Sequence, residues 1–344
     1  MSLLVLAGYL FLHATSLYYP LKKNEPMPIN FPDGWPKPNQ NFFNQNPITK
    51  EGFELGRKLF YDERLSGDNA TSCGNCHQQF AAFASLDHDL SHGVHNSFSL
   101  RNAPALFNLA WRKDFHWDGG VNHIEVQPLS PLTSAVEMGA DMDTVLWRIA
   151  ADTSYRRMFF NAFGSDQVTS KRMLQALAQF TLSLVSAGSK YDKVKAGNDT
   201  FNRFEAKGYE IFKTKCATCH VPPLFTDDSF RNNGLSRGRT NDFGRMAITG
   251  KSSDSLHFRV PSLRNVQYSY PYMHDGRLAY LPNVIDHYTN IDTTNPILDP
   301  LLRKHISLDK YDKVYLLSFL YTLTDTTFLR DKRFAAPMPI TIKH

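Results

Sequence analysis

Apolar positions in this chain recur at helical spacing in separate blocks, and none of them alternates over a strand's length. Phe53, Leu55, Leu59 and Phe60 form one stripe and predict a helix over Lys50–Tyr61, with Thr49 as its N-cap. The same period returns over Asp143–Phe163 and over Ser170–Ala187, where Met173, Leu174, Leu177, Thr181, Leu182, Leu184 and Val185 share a face. Further helices are expected over Phe204–Lys215, near Leu281–Tyr288 and over Leu308–Leu323. The chain is therefore mainly α. Between the blocks, residues 78–140 are rich in Gly, Pro, Asn and His and show weak periodicity. So long an irregular stretch inside a compact domain is usually functional or wrapped around something. Residues 20–50 hold seven of the 19 prolines and read as an extended lead-in, and Lys190–Asn202 reads as an interdomain connection.

Length and composition narrow the class. The chain has 344 residues, enough for two domains at about 150 residues each. With 42% apolar and 21% charged residues it is a globular protein, neither disordered nor fibrous. Its formal charge of +5 is an ordinary solvated surface, without the Lys/Arg runs of a nucleic-acid groove or a polybasic membrane patch. The apolar run Leu3–Leu12 is too short to span a bilayer, which takes about 20 residues. It has the length of an export-signal core, and an N-terminal anchor or a buried segment is the alternative.

The chemistry lies in the cysteines. All 4 fall in two motifs, Cys73-Gly74-Asn75-Cys76-His77 and Cys216-Ala217-Thr218-Cys219-His220. Cys-x-x-Cys-His is the attachment signature of c-type haem. Cysteines three apart share one face of a helical turn, so both thiols reach the two vinyl groups of one porphyrin. The adjacent His then presents its imidazole to the iron, which makes His77 and His220 the proximal ligands. A zinc site would usually place the pairs closer together, and a thioredoxin-like pair would need one motif in a βαβ setting. Before each motif stands a similar segment, GRKLFYDERLSGDNATSCGNCH and GYEIFKTKCATCH, which reads as a duplicated module. Covalent haem also implies export.

The sequence resembles the bacterial dihaem cytochrome c peroxidases and the MauG-like dihaem enzymes from about Gly52 to Leu323. The resemblance rests on LGRKLFYDERLSGDNATSCGNCH, RNAPALFN, HWDGG…QPL…EMG, VPSLRNV, and PYMHDGRL followed by HY. It implies two helical cytochrome c-like domains, each with one covalently bound haem, the N-terminal haem peroxidatic and the C-terminal haem transferring electrons. By position it implies Glu137 as the acid–base carboxylate, Gln127 as its polar companion, and Trp117 between the haems. Asn102, with the carbonyls of Ser269 and Pro271, would hold an interdomain calcium, and His274 would lie near the second haem. Where many of the peroxidases place a releasable distal His, this chain has Val94, which implies an open first site; His92 or His95, flanking it, is the alternative ligand, and His88 completes that cluster. Where the peroxidases usually place a Met ligand of the second iron, this chain has Tyr288, as MauG-like enzymes do, with Met273 as the alternative.

The expected domains are 1–20 (signal or anchor), 21–48 (lead-in), 49–190 (peroxidatic), 191–325 (electron transfer) and 326–344, a tail returning to the first domain. The resemblance implies a periplasmic peroxidase that reduces H2O2 with electrons from a small soluble cytochrome c or cupredoxin, passed through the second haem. The alternatives are a MauG-like enzyme that uses peroxide to oxidise Trp or Tyr of a partner protein, and a dihaem electron carrier without peroxide chemistry. Relatives are often homodimers.

Overall fold

The computed structural model describes residues 24–86 and 88–337. The apolar run Leu3–Leu12 and the last seven residues of the expected tail lie outside the described residues. The helices are α1 (Gln40–Gln45), α2 (Lys50–Phe60), α3 (Cys73–Cys76), α4 (Leu129–Thr133), α5 (Met142–Ala151), α6 (Thr153–Phe163) and α7 (Ser170–Leu182). They continue with α8 (Lys190–Lys195), α9 (Arg203–Lys215), α10 (Met246–Thr249), α11 (Leu281–Thr289), α12 (Lys310–Tyr321) and α13 (Thr326–Leu329). The fold is mainly helical, and a two-stranded antiparallel ribbon joins β1 (Phe230–Arg231) to β2 (Phe258–Arg259). Two residues per strand are too few to leave an alternating pattern.

Two apolar cores organise these elements. The first gathers α2, α6 and α7 around Phe60, Phe83, Phe159 and Phe180, and also takes in Phe328 and Phe334. The second gathers α9, α11 and α12 around Phe212, Phe225, Ile285 and Phe319. Each core is built on one close helix crossing at a glycine. A Cβ on Gly56 of α2 would lie 1.9 Å from the Ala176 carbonyl oxygen of α7, and one on Gly208 of α9 would lie 1.9 Å from that of Tyr315 on α12. Only glycine lets the backbones approach so closely.

The sequence pattern needs three corrections. The block 143–163 is two helices, because the Asp152 side chain accepts from the Ser154 N–H and starts α6 where α5 ends. The block 170–187 stops at Leu182: Leu184 O accepts from Asn108 N at 2.8 Å, so the apolar residues beyond serve an extended segment. Residues 190–202 contain α8, capped reciprocally by Ser189 and Asp192.

The chain beyond α13 lies on the first core. Tyr61 Oη donates to Phe334 O at 2.8 Å, Gln79 Nε2 to Asp331 O at 2.8 Å, and Arg57 Nη1 to Arg333 O at 3.1 Å. No helix among the described residues is long and apolar enough to cross a membrane.

Candidate functional site

The first motif is a single turn of its own. Ser72 N donates to Asn75 Oδ1 at 3.0 Å to start α3, and His77 N closes the turn on Cys73 O at 2.9 Å. The second runs straight off the end of α9, with His220 N on Cys216 O at 3.0 Å. Each turn therefore places its two thiols and its imidazole on one side.

The two histidines are held alike. His77 Nδ1 donates to Phe83 O at 2.8 Å, and His220 Nδ1 to Phe225 O at 3.2 Å and Pro261 O at 3.1 Å. A carbonyl only accepts, so Nδ1 carries the proton and Nε2 is left as a donor to a metal. Phe83 (φ 58°) and Phe225 (φ 55°) are fully buried in left-handed conformation. Such backbone costs of order 1–3 kcal/mol and persists where the surroundings enforce it. Burial drives the His77 imidazole down to about 4 and the Cys73 and Cys216 thiols up to about 12. The site thus favours neutral imidazole, the ligating form, and sulfur that carries no charge, as in a thioether.

A cavity of about 230 Å³ opens at the second motif, lined by Cys216, Cys219, His220, Met273 and Tyr288, and reaches Trp117. Tyr288 is pushed up to about 12 by burial, with a hydrogen bond from the Asn233 side chain acting the other way. Met273 Sδ accepts from Asn233 Nδ2 at 3.5 Å. Arg112 and Arg259 also border the cavity, placing guanidinium groups where a porphyrin's carboxylates could be met. Paired thiols, an imidazole with a free Nε2 and an apolar slot fit a c-type haem.

At the first motif, burial raises the Cys76 thiol, and the nearby charge of Glu137 adds to it. Burial raises the Glu137 carboxyl, against a hydrogen bond from Ser134 and the charge of Arg101. Val94 is buried, and its N–H donates to Glu137 O at 2.7 Å. Ser97 Oγ ties the same loop to Val136 O at 3.0 Å. His92 and His95 are exposed: the His92 ring pairs with His88 at 4.7 Å and Phe98 at 4.6 Å, and His95 N donates to Asp68. Gln127 Nε2 meets His116 Nε2 at 3.4 Å, and no hydrogen bond joins it to Glu137.

Trp117 joins the two halves. Its Nε1 donates to Asn102 O at 2.8 Å, and its carbonyl accepts from Arg259 N at 2.8 Å. Asn102 N donates to His274 O at 2.8 Å, and the His274 ring stacks on Phe258 at 3.6 Å. Asn102 Nδ2 donates to Asp89 O, which leaves Oδ1 without a donor among the described residues. Asn102, Ser269 and Pro271 share the cavity wall. Arg101 braces this region through Asp118 and Asp242, both at 2.5 Å.

The family model described as di-haem cytochrome c peroxidase matches residues 50–200. The methylamine utilization protein MauG of Methylorubrum extorquens is 36% identical over 288 residues, covering 81% of this chain and 79% of that protein. The chain belongs to the dihaem cytochrome c peroxidase and MauG-like family. It is thus a haem peroxidase-type oxidoreductase of a family that carries two haems. The cytochrome c551 peroxidase of Nitrosomonas europaea is 32% identical over 288 residues, 81% of each chain. A crystal structure of a MauG-like protein associated with microbial copper homeostasis superposes with a TM-score of 0.84 at 32% identity, covering 90% of this chain and 99% of that one.

Other residues border the same groups without a signal in the sequence. His116, beside Trp117, meets Gln127. The carbonyl acceptors of the histidines carry no side-chain signal at all. Asn233 was invisible because its partners, Tyr288 and Met273, are remote in sequence.

Proposed function

We propose that this protein reacts with H2O2 at a haem held by Cys73, Cys76 and His77, and passes the oxidising equivalents to a Trp or Tyr of a partner protein. A haem bound there supplies the redox chemistry of peroxide cleavage. The chain supplies the proton transfers. Glu137 accepts the proton of the oxygen that binds and returns it to the oxygen that leaves, assistance typically worth ~10²–10⁴-fold. Gln127, on its side, can donate a hydrogen bond where charge develops. Trp117, bonded to both halves, lies on the route to the second site, where Cys216, Cys219 and His220 hold the other haem. Asn102, with Ser269 and Pro271, offers oxygen ligands suited to a calcium ion between them.

The observation that carries this reading is Val94. It is buried, fixed to the Glu137 backbone, and has no atom that ligates iron. With His92 and His95 on the surface, the first site is open to peroxide without prior reduction. Tyr288 supports partner oxidation: an anionic oxygen donor stabilises oxidised iron, which suits storage of oxidising equivalents. A second reading, turnover with a reduced cytochrome or cupredoxin, is favoured by Met273 in the same cavity. Export to the periplasm accompanies either, since the haems are attached there.

The test is Val94→His. It should abolish the reaction of the fully oxidised protein with peroxide and make that reaction depend on one-electron reduction. Equal reactivity of Val94→His and the parent would contradict the open-site reading.

A further inference from the structure

Asn233 has a place that none of the roles above uses. Its backbone carbonyl accepts from His287 Nε2 at 2.9 Å, and His287 sits beside Tyr288 on α11. Its side-chain oxygen accepts from Leu235 N at 3.4 Å. That bond fixes which way the amide faces, so the NH2 group points into the second cavity. There it meets Met273 Sδ at 3.5 Å, in the cavity that Tyr288 also lines, where the Asn233 side chain works against the rise that burial imposes on the phenol. An amide has two N–H donors. One goes to Met273, and the other is free to serve Tyr288, which lines the same cavity.

We propose that Asn233 selects the sixth ligand of the second haem, favouring Tyr288 and restraining Met273. This rests on the reading of Tyr288 as a ligand. The selection comes from a difference in the two hydrogen bonds. An N–H on an anionic oxygen is charge-assisted and about twice as strong as a neutral one, so it gains when the tyrosine binds iron. A thioether is a weak acceptor, and Met273 reaches iron only by leaving Asn233. Met273 is also held at φ 75°, which restricts how its side chain can be re-aimed.

The experiment uses the purified dihaem protein and reads the second haem's absorption and reduction potential, with the first haem as internal control. Asn233→Leu keeps the size and removes both donors. It should produce the sulfur-to-iron charge-transfer band and raise the potential by at least a tenfold change in the redox equilibrium, about 59 mV for one electron. Asn233→Leu combined with Met273→Leu should remove that band. Asn233→Ser keeps one donor and should retain the parent spectrum. A parent spectrum and potential in Asn233→Leu would overturn the role of Asn233. An unchanged second haem in Tyr288→Phe would instead overturn the ligand reading beneath it.

Discussion

The two halves of this molecule share a scaffold and differ on one side of it. In each, a helix pair crosses at a glycine, Gly56 against α7 and Gly208 against α12. In each, a Cys-x-x-Cys-His turn directs its imidazole Nδ1 to a buried phenylalanine carbonyl at positive φ. In each, an asparagine at positive φ, Asn108 or Asn265, donates its N–H to the chain leaving the second helix, at Leu184 O or Leu323 O. The difference lies in the side chains gathered near each motif. The first half presents Glu137 and an inert Val94, and the second presents Tyr288, Met273 and Asn233. A duplicated frame carries two similar Cys-x-x-Cys-His turns, and under the proposed function the differing side chains assign acid–base chemistry to one half and electron storage or relay to the other.

The largest expected effect separates the halves outright. Cys216→Ser with Cys219→Ser should lower the haem-to-protein ratio from two to one by pyridine haemochrome assay. The remaining haem should still react with peroxide. Retention of both haems would break the assignment of one motif to each half.

Next comes the carboxylate. Glu137→Gln should slow the peroxide reaction by ~10²–10⁴-fold in stopped-flow absorption. Glu137 accepts a proton only when ionised, and burial raises its pKa. The parent rate should therefore fall with decreasing pH through a midpoint above the ordinary value of about 4.3. In Glu137→Gln that limb should vanish.

Smaller effects test the shared frame. Gly56→Ala and Gly208→Ala each drive a methyl into a facing carbonyl, and each should cost about 1–3 kcal/mol by chemical denaturation. A marked inequality would mean that the two crossings are not equivalent. The smallest is at the caps. Thr49→Ala on α2 and Asn202→Ala on α9 should each cost about 1 kcal/mol. Thr49 should cost more, because its hydroxyl also donates to the buried Gln179 Oε1.

Much of this comparison could be read from the chain. Helical periodicity marked α2, α7, α9, α11 and α12, because each buries one face against a core. The cysteine motifs named the cofactor chemistry, because two thiols and an imidazole at that spacing do little else. The break at Asp152 was hidden because apolar residues continue across it, and only the cap ends the helix. Leu184 and Val185 keep a helical spacing but serve an extended segment, because Asn108 captures the backbone of Leu184. The irregular stretch 78–140 carries Val94, Trp117, Gln127 and Glu137, and its backbone joins Val94 to Glu137 and Trp117 to Arg259, far along the chain. No local pattern reports such contacts.

An open first half that shares its oxidising equivalents with the second should need no reductant to react. One equivalent of H2O2 added to the fully oxidised protein, without reductant, tests it by rapid-scan absorption. Both haem signals should change together and persist for longer than the mixing time. Spectra that stay unchanged until one electron has been supplied would mean that the first half is closed in its oxidised state.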